Sequence, residues 1–140
     1  EKNWVMRRIT LAQLASHTAG FPFEPPDSLK TPADLKQYLL AWKPALSSEP
    51  FYQYSNIGIG LLGRILEVHD KKNLSQLYID RILSPLNMSE IGFNVPSKLK
   101  SYYAQGYSAT GKPTPHEESD LFSAGYFLKM TINDFSKFLQ

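Results

Sequence analysis

An apolar run with a glycine at every second or third position constrains this chain more than any other stretch. It reads Ile57-Gly58-Ile59-Gly60-Leu61-Leu62-Gly63 and continues through Arg64-Ile65-Leu66-Glu67-Val68 until His69-Asp70-Lys71-Lys72 returns it to water. Apolar residues recur at 57, 61, 65 and 68, with Leu62 and Leu66 beside them, which is helical spacing. Each glycine costs a helix about 1 kcal/mol against alanine. A helix that accepts that cost needs another backbone to approach it closely. The spacing therefore predicts a buried helix whose N-terminus presents Tyr54 and Asn56 to a cavity. The same pair also fits a purely structural role, with Tyr54 a core aromatic and Asn56 the helix N-cap, since asparagine is a favoured cap.

The rest of the chain has the material to bury such a helix. Of 140 residues, 42% are hydrophobic and 13% aromatic, enough for the core of one domain or of a piece of a larger one. The mean hydropathy of −0.31 is that of a soluble protein. The net charge of +2 is scattered, and no basic run interleaved with aromatics appears, so neither nucleic acid nor a membrane surface is an expected partner. The absence of cysteine excludes disulfides, Cys-ligated zinc and a cysteine nucleophile. His17, His69 and His116 are too dispersed for a metal motif, and neither a metal nor a cofactor is expected. No segment approaches the ~20 apolar residues of a membrane span. The chain has no initiator Met and opens at Glu1-Lys2-Asn3-Trp4 as if mid-stream, so a missing targeting signal says little about compartment.

Taken in order, the sequence reads as mainly helical. Thr10 can cap a short helix through His17, with Leu11, Leu14 and Ala15 as its apolar stripe and Gly20 just past its end. Pro22, Pro25 and Pro26 make residues 21–27 a fixed loop with aromatic anchors. Thr31-Pro32-Ala33-Asp34 is a helix start, with hydroxyl cap, proline at the first position and a carboxylate near the positive end. That helix carries Leu35, Tyr38, Leu39 and Trp42 and stops before Pro44; the link Ser47-Ser48-Glu49-Pro50 leads on to Tyr54. A further amphipathic helix covers 74–83 and ends at Pro85. Ile91-Gly92-Phe93 is a candidate strand, and residues 102–107 and 111–113 read as two short strands around a turn. Thr131 caps a last helix to Leu139. Tyr38, Trp42 and Tyr78 are read as core.

Six segments, in order, resemble the class C serine β-lactamases of the penicillin-binding-protein superfamily. They are Ile9-Thr10-Leu11 through Thr18-Ala19-Gly20-Phe21-Pro22, Trp42-Lys43-Pro44, Tyr54-Ser55-Asn56 with its glycine-spaced helix, Ser84-Pro85-Leu86-Asn87-Met88, Tyr103-Ala104-Gln105-Gly106-Tyr107, and Lys129-Met130-Thr131-Ile132-Asn133-Asp134-Phe135. The resemblance spans nearly the whole chain and favours the functional reading of Tyr54. It implies a mainly α fold, the helical-domain segment of the β-lactamase/transpeptidase-like fold with a small β element in the C-terminal third. Residues 1–140 would then be a single segment of a larger enzyme, whose missing α/β domain belongs to the same polypeptide.

In this family the active site lies between the two domains and a serine attacks the β-lactam carbonyl to form an acyl-enzyme. Carried over by position, Tyr54 would be the proton-transfer tyrosine of the Y-x-N signature. Asn56 would bind the substrate's amide side chain and the lysine of the nucleophile motif. Tyr107 would be a wall of the active site, and Glu24 would fall on a loop position, often glutamine, near the substrate's side chain. A phenol is a poor base at neutral pH and needs nearby cations or a concerted relay to serve. An asparagine offers donor and acceptor together, so one side chain can hold a substrate carbonyl and a lysine. The resemblance also implies a β-lactam or peptidoglycan-like substrate and a periplasmic or otherwise exported location.

The family's S-x-x-K motif is expected upstream of Glu1 and its K/H-T-G motif downstream of Gln140, so the 140-residue chain alone is expected to be inactive. Ser97-Lys98-Leu99-Lys100 matches S-x-x-K literally, but it follows Y-S-N, and Pro96 before it fits a loop better than a helix start. A serine D,D-peptidase or esterase of the same superfamily remains open, since Y-S-N occurs there and many class C enzymes have Y-A-N. So does a non-catalytic binding module with the same fold. Without the α/β domain, Trp4, Ile9, Phe122 and Phe127 are expected to be less buried than their types usually are. Such a face would favour a homo-oligomer of the isolated segment.

Overall fold

Hydroxyl caps begin α-helices at Thr10, Thr31, Ser55 and Thr131. Thr10 accepts the Gln13 backbone N–H while the Gln13 side chain accepts from Thr10, a reciprocal capping box that starts α1, Leu11–Ala15. Thr31 and Asp34 do the same for α2, Pro32–Ala41, with Pro32 in the first turn. The glycine-spaced run forms α3, Asn56–Asp70, which ends at Lys71 in a left-handed conformation. α4, Leu74–Tyr78, is capped by Asn73 and widens into a π-helical turn over Ile79–Leu83. Strands β1, Ile91–Gly92, and β2, Lys129–Met130, pair antiparallel, Ile91 with Met130 and Gly92 with Lys129. Thr131 caps α5, Ile132–Phe138.

The structure, a computed structural model, describes residues 6–43, 51–116, 121–126 and 128–140. The sequence expectations for Trp4, Phe127, Pro44 and the link at 47–50 lie outside them. The described residues divide into two compact units. The first takes those up to Lys71 together with Leu121–Tyr126, and the second takes the remainder.

In the first unit α3 packs on α1, and Leu14, Phe21, Leu35, Trp42, Ile57 and Phe122 share one buried cluster. Phe21 stacks on Trp42 with ring centroids 4.3 Å apart. Only the first half of α3 is deeply buried: Ile57, Gly58, Gly60 and Gly63 are enclosed, whereas Val68 is 78% exposed. Phe122 corrects an expectation. It was to lie on an uncovered face, yet it is 2% exposed, because Gly60 leaves a space that its backbone and ring occupy. Ile9 is half-buried against the same cluster.

The second unit is tied together by Asp134 of α5, which is 1% exposed. Its carboxylate accepts from the Glu90 N–H at the entry to β1 and from the Lys137 ammonium at 2.7 Å. Lys137 also donates to the Asn87 carbonyl. The two strands expected around a turn at 102–107 and 111–113 reduce to a single bridge between Tyr107 and Pro113. Ser97–Tyr102 is a short 3-10 helix and not a loop, with exposed Ser97 at its start. Among the described residues no helix is long and apolar enough to cross a membrane.

Candidate functional site

The N-terminus of α3 is built by its neighbours in the first unit. Ser55, not Asn56, is the N-cap: its hydroxyl accepts the Gly58 N–H at 3.0 Å. That leaves Asn56 as the first helical residue with its side chain free for another role. Asn56 is buried, 6% exposed, and its amide donates to Glu24 Oε1 at 2.9 Å across 32 residues of sequence. Its own N–H donates to the Phe23 carbonyl at 2.9 Å, so the proline-fixed loop is fastened to the helix start at two points. On the other side Gly125 comes so close that a β-carbon there would lie 2.8 Å from the Asn56 carbonyl oxygen. The Asn56 backbone is thus closely packed on that side, and its side chain is held by Glu24.

Tyr54 is solvent-reached, 44% exposed, so it is no core aromatic. Its ring stacks on His17, centroids 4.4 Å apart and planes 27° from parallel, and Phe23 tilts against it at 5.7 Å. Its hydroxyl forms no hydrogen bond among the described residues. The backbone before α3 is held by His17 as well: His17 Nδ1 accepts the Ser55 N–H at 3.0 Å, and the His17 carbonyl accepts the Gln53 N–H at 2.8 Å.

His17 is the neighbour that sequence reading missed. In sequence it reads as part of a helix end, too far from His69 and His116 for a metal motif, and His17-Thr18-Ala19-Gly20 departs from H-T-G by an inserted alanine. The helix end itself is displaced from expectation: α1 closes at His17, φ +58°, well before Gly20. The Thr18 N–H reaches the Gln13 carbonyl and the His17 N–H reaches that of Leu14, the paired bonds of a Schellman ending. Glycine is usual at that position, and a histidine there is a signal the sequence does carry.

Of the four residues singled out from sequence, Tyr54, Asn56 and Glu24 come together in the first unit. Tyr107 belongs to the second, 63% exposed on the bridge to Pro113. A cavity of about 630 Å³ in that unit is walled by Leu99, Tyr103, His116 and Met130, among others, and contains none of the four. Its lining mixes apolar side chains with Asn94, Lys129 and Thr131. Among the described residues no three His, Asp or Glu side chains come together as metal ligands.

The family model described as Beta-lactamase matches residues 1–140. A beta-lactamase of Escherichia coli (strain K12) is 32% identical over 99% of this chain and 36% of its own length. One from Lysobacter lactamgenus is 31% identical over 95% of this chain and 35% of its own. Among solved structures, a class C beta-lactamase in complex with cefoxitin is 28% identical with a TM-score of 0.88, over 96% of this chain and 38% of that one. A beta-lactamase/D-alanine carboxypeptidase from Pseudomonas syringae is 29% identical with a TM-score of 0.83, over 94% of this chain and 37% of that one. The chain therefore spans rather more than a third of the length of the proteins it matches.

Proposed function

Because the chain belongs to the beta-lactamase family, we propose that it supplies the Y-x-N half of the active site of a class C-like serine hydrolase that opens β-lactam rings. The observation that carries this is the placement of Tyr54 and Asn56 at one helix start, the phenol open to solvent and the amide anchored by Glu24. The α/β domain of the same polypeptide brings the nucleophilic serine. As the serine oxygen bonds to the lactam carbonyl carbon, its proton passes to the Tyr54 oxygen, which cations brought by the α/β domain hold as phenolate. The C–N bond then breaks and the nitrogen leaves with a proton from the same phenol. The phenolate so regenerated takes a proton from water, whose oxygen bonds to the acyl carbon; the ester C–O bond breaks and the serine oxygen leaves with that proton. Asn56 holds the substrate's amide and the lysine beside the serine, and Glu24 keeps Asn56 from turning away.

The likeness to a beta-lactamase/D-alanine carboxypeptidase supports a second reading, in which the acyl donor is a D-alanyl peptide. Both readings use the same acyl transfer. The test is the full-length parent assayed with a chromogenic cephalosporin and with a D-alanyl-D-alanine peptide. Tyr54→Phe should lower kcat by about 10²–10⁴-fold, as loss of a general acid–base group does. Near-normal kcat in that variant would return Tyr54 to a packing role.

A further inference from the structure

We propose that His17 is the positioning residue for Tyr54: it fixes the plane of the phenol ring and the backbone that carries it. The inference rests on the reading of Tyr54 as the proton-transfer group. His17 sits at φ +58°, in the left-handed region that glycine fills without strain. Histidine is among the few other residues that adopt it, and such strain concentrates where a site needs a fixed geometry.

What the residue gains there is contact with four consecutive residues, Tyr52 to Ser55, the last 38 positions away. The backbone carbonyl takes the Gln53 N–H, the ring meets Tyr52 edge-on at 5.7 Å and stacks on Tyr54, and Nδ1 takes the Ser55 N–H. Ser55 is 2% exposed, so its N–H has no water to turn to and needs that acceptor. Acceptance at Nδ1 places the ring proton on Nε2 and so fixes both the tautomer and the ring's orientation. Among the described residues the phenol ring is held on its faces, by His17 at 4.4 Å and Phe23 at 5.7 Å. Proton transfer depends steeply on such placement, whereas substrate affinity does not.

The test is made in the full-length parent with His17→Asn. Asparagine tolerates the left-handed backbone and offers an oxygen near the place of Nδ1, but it has no ring to stack. His17→Gly is the second variant, relieving the backbone strain while removing ring and acceptor together. Both are measured with a chromogenic cephalosporin, alone and combined with Tyr54→Phe. Each should lower kcat about 10- to 100-fold with KM nearly unchanged, and lower it no further once Tyr54→Phe is present. The inference is overturned if His17→Asn keeps kcat within about twofold of the parent, or if its loss adds in full to that of Tyr54→Phe, as general damage would. If Tyr54→Phe alone keeps normal kcat, the reading of Tyr54 fails first. An impaired Tyr54→Phe beside a fully active His17→Asn sinks the His17 inference by itself.

Discussion

Gly60 lies so close to Phe122 that a β-carbon on it would sit 2.9 Å from the Phe122 Cα and 2.6 Å from its ring. The nearest atoms include backbone, which cannot swing aside as a flexible side chain would. Gly60→Ala should therefore destabilise by about 1–3 kcal/mol in spite of alanine's better helix propensity. Gly58 makes the control: a β-carbon there meets only ordinary contacts at 3.5 Å or more. Gly58→Ala should be neutral or stabilising. Urea unfolding of both variants decides it, and equal effects would mean that backbone approach is not what selects glycine at 60.

Ser55 offers a separate test of what the middle residue of Y-S-N does. Its hydroxyl caps α3 and is sealed from water. Ser55→Ala should cost about 0.5–2 kcal/mol of stability, the range for a lost N-cap. It should leave kcat intact, because the hydroxyl faces the Gly58 N–H and not Tyr54. A large fall in kcat with unchanged stability would give Ser55 a chemical role.

The caps at Thr10, Thr31 and Thr131 were legible because a hydroxyl and its target N–H lie within three residues of each other. The family and the mainly helical character were legible for a similar reason, being carried by ordered local motifs. What escaped is non-local. β1 finds its partner at Lys129–Met130 across most of the second unit, while residues 111–113 looked the better strand from local pattern. Ser55 and Asn56 are both good caps by type, and the Ser55 hydroxyl's bond from the Gly58 N–H decides between them, with the Asn56 amide turned to Glu24. The π-helical turn at Ile79–Leu83 reads in sequence like any other helical turn. His17 carries no local sign of Tyr54, since loop closure brings them together.

The Asn56–Glu24 bond predicts a graded response at position 24. Glu24→Gln keeps an acceptor oxygen at the same reach and should leave both stability and turnover of the parent close to unchanged. Glu24→Ala leaves the buried amide short of a partner and should cost about 1–2 kcal/mol. With Asn56 free to turn, KM should rise as well. A double-mutant cycle with Asn56→Ala measures the coupling, and a coupling of zero would show that the bond fixes nothing.

Asp134 predicts a pH dependence whose sign follows from its surroundings. Burial alone pushes its carboxyl up, but the hydrogen bond from Lys137, the N–H groups of Glu90 and Ser89 and the Lys137 charge outweigh it and hold the carboxyl below its ordinary 3.8. A group depressed in the folded state stabilises above its unfolded value, and that stability is lost as pH falls through the folded one. Asp134→Asn should therefore be clearly less stable than the parent at neutral pH. The gap should narrow below about pH 4, as acid removes the carboxylate's advantage. Asp34, held low chiefly by the Thr31 hydroxyl, and Asp80, held low chiefly by the Lys72 ammonium, share this sign. They are present in both proteins and cancel in the comparison. Urea midpoints across acid pH measure the gap, and one that stays constant down to about pH 2 would mean the Asp134 carboxylate contributes no more than its shape.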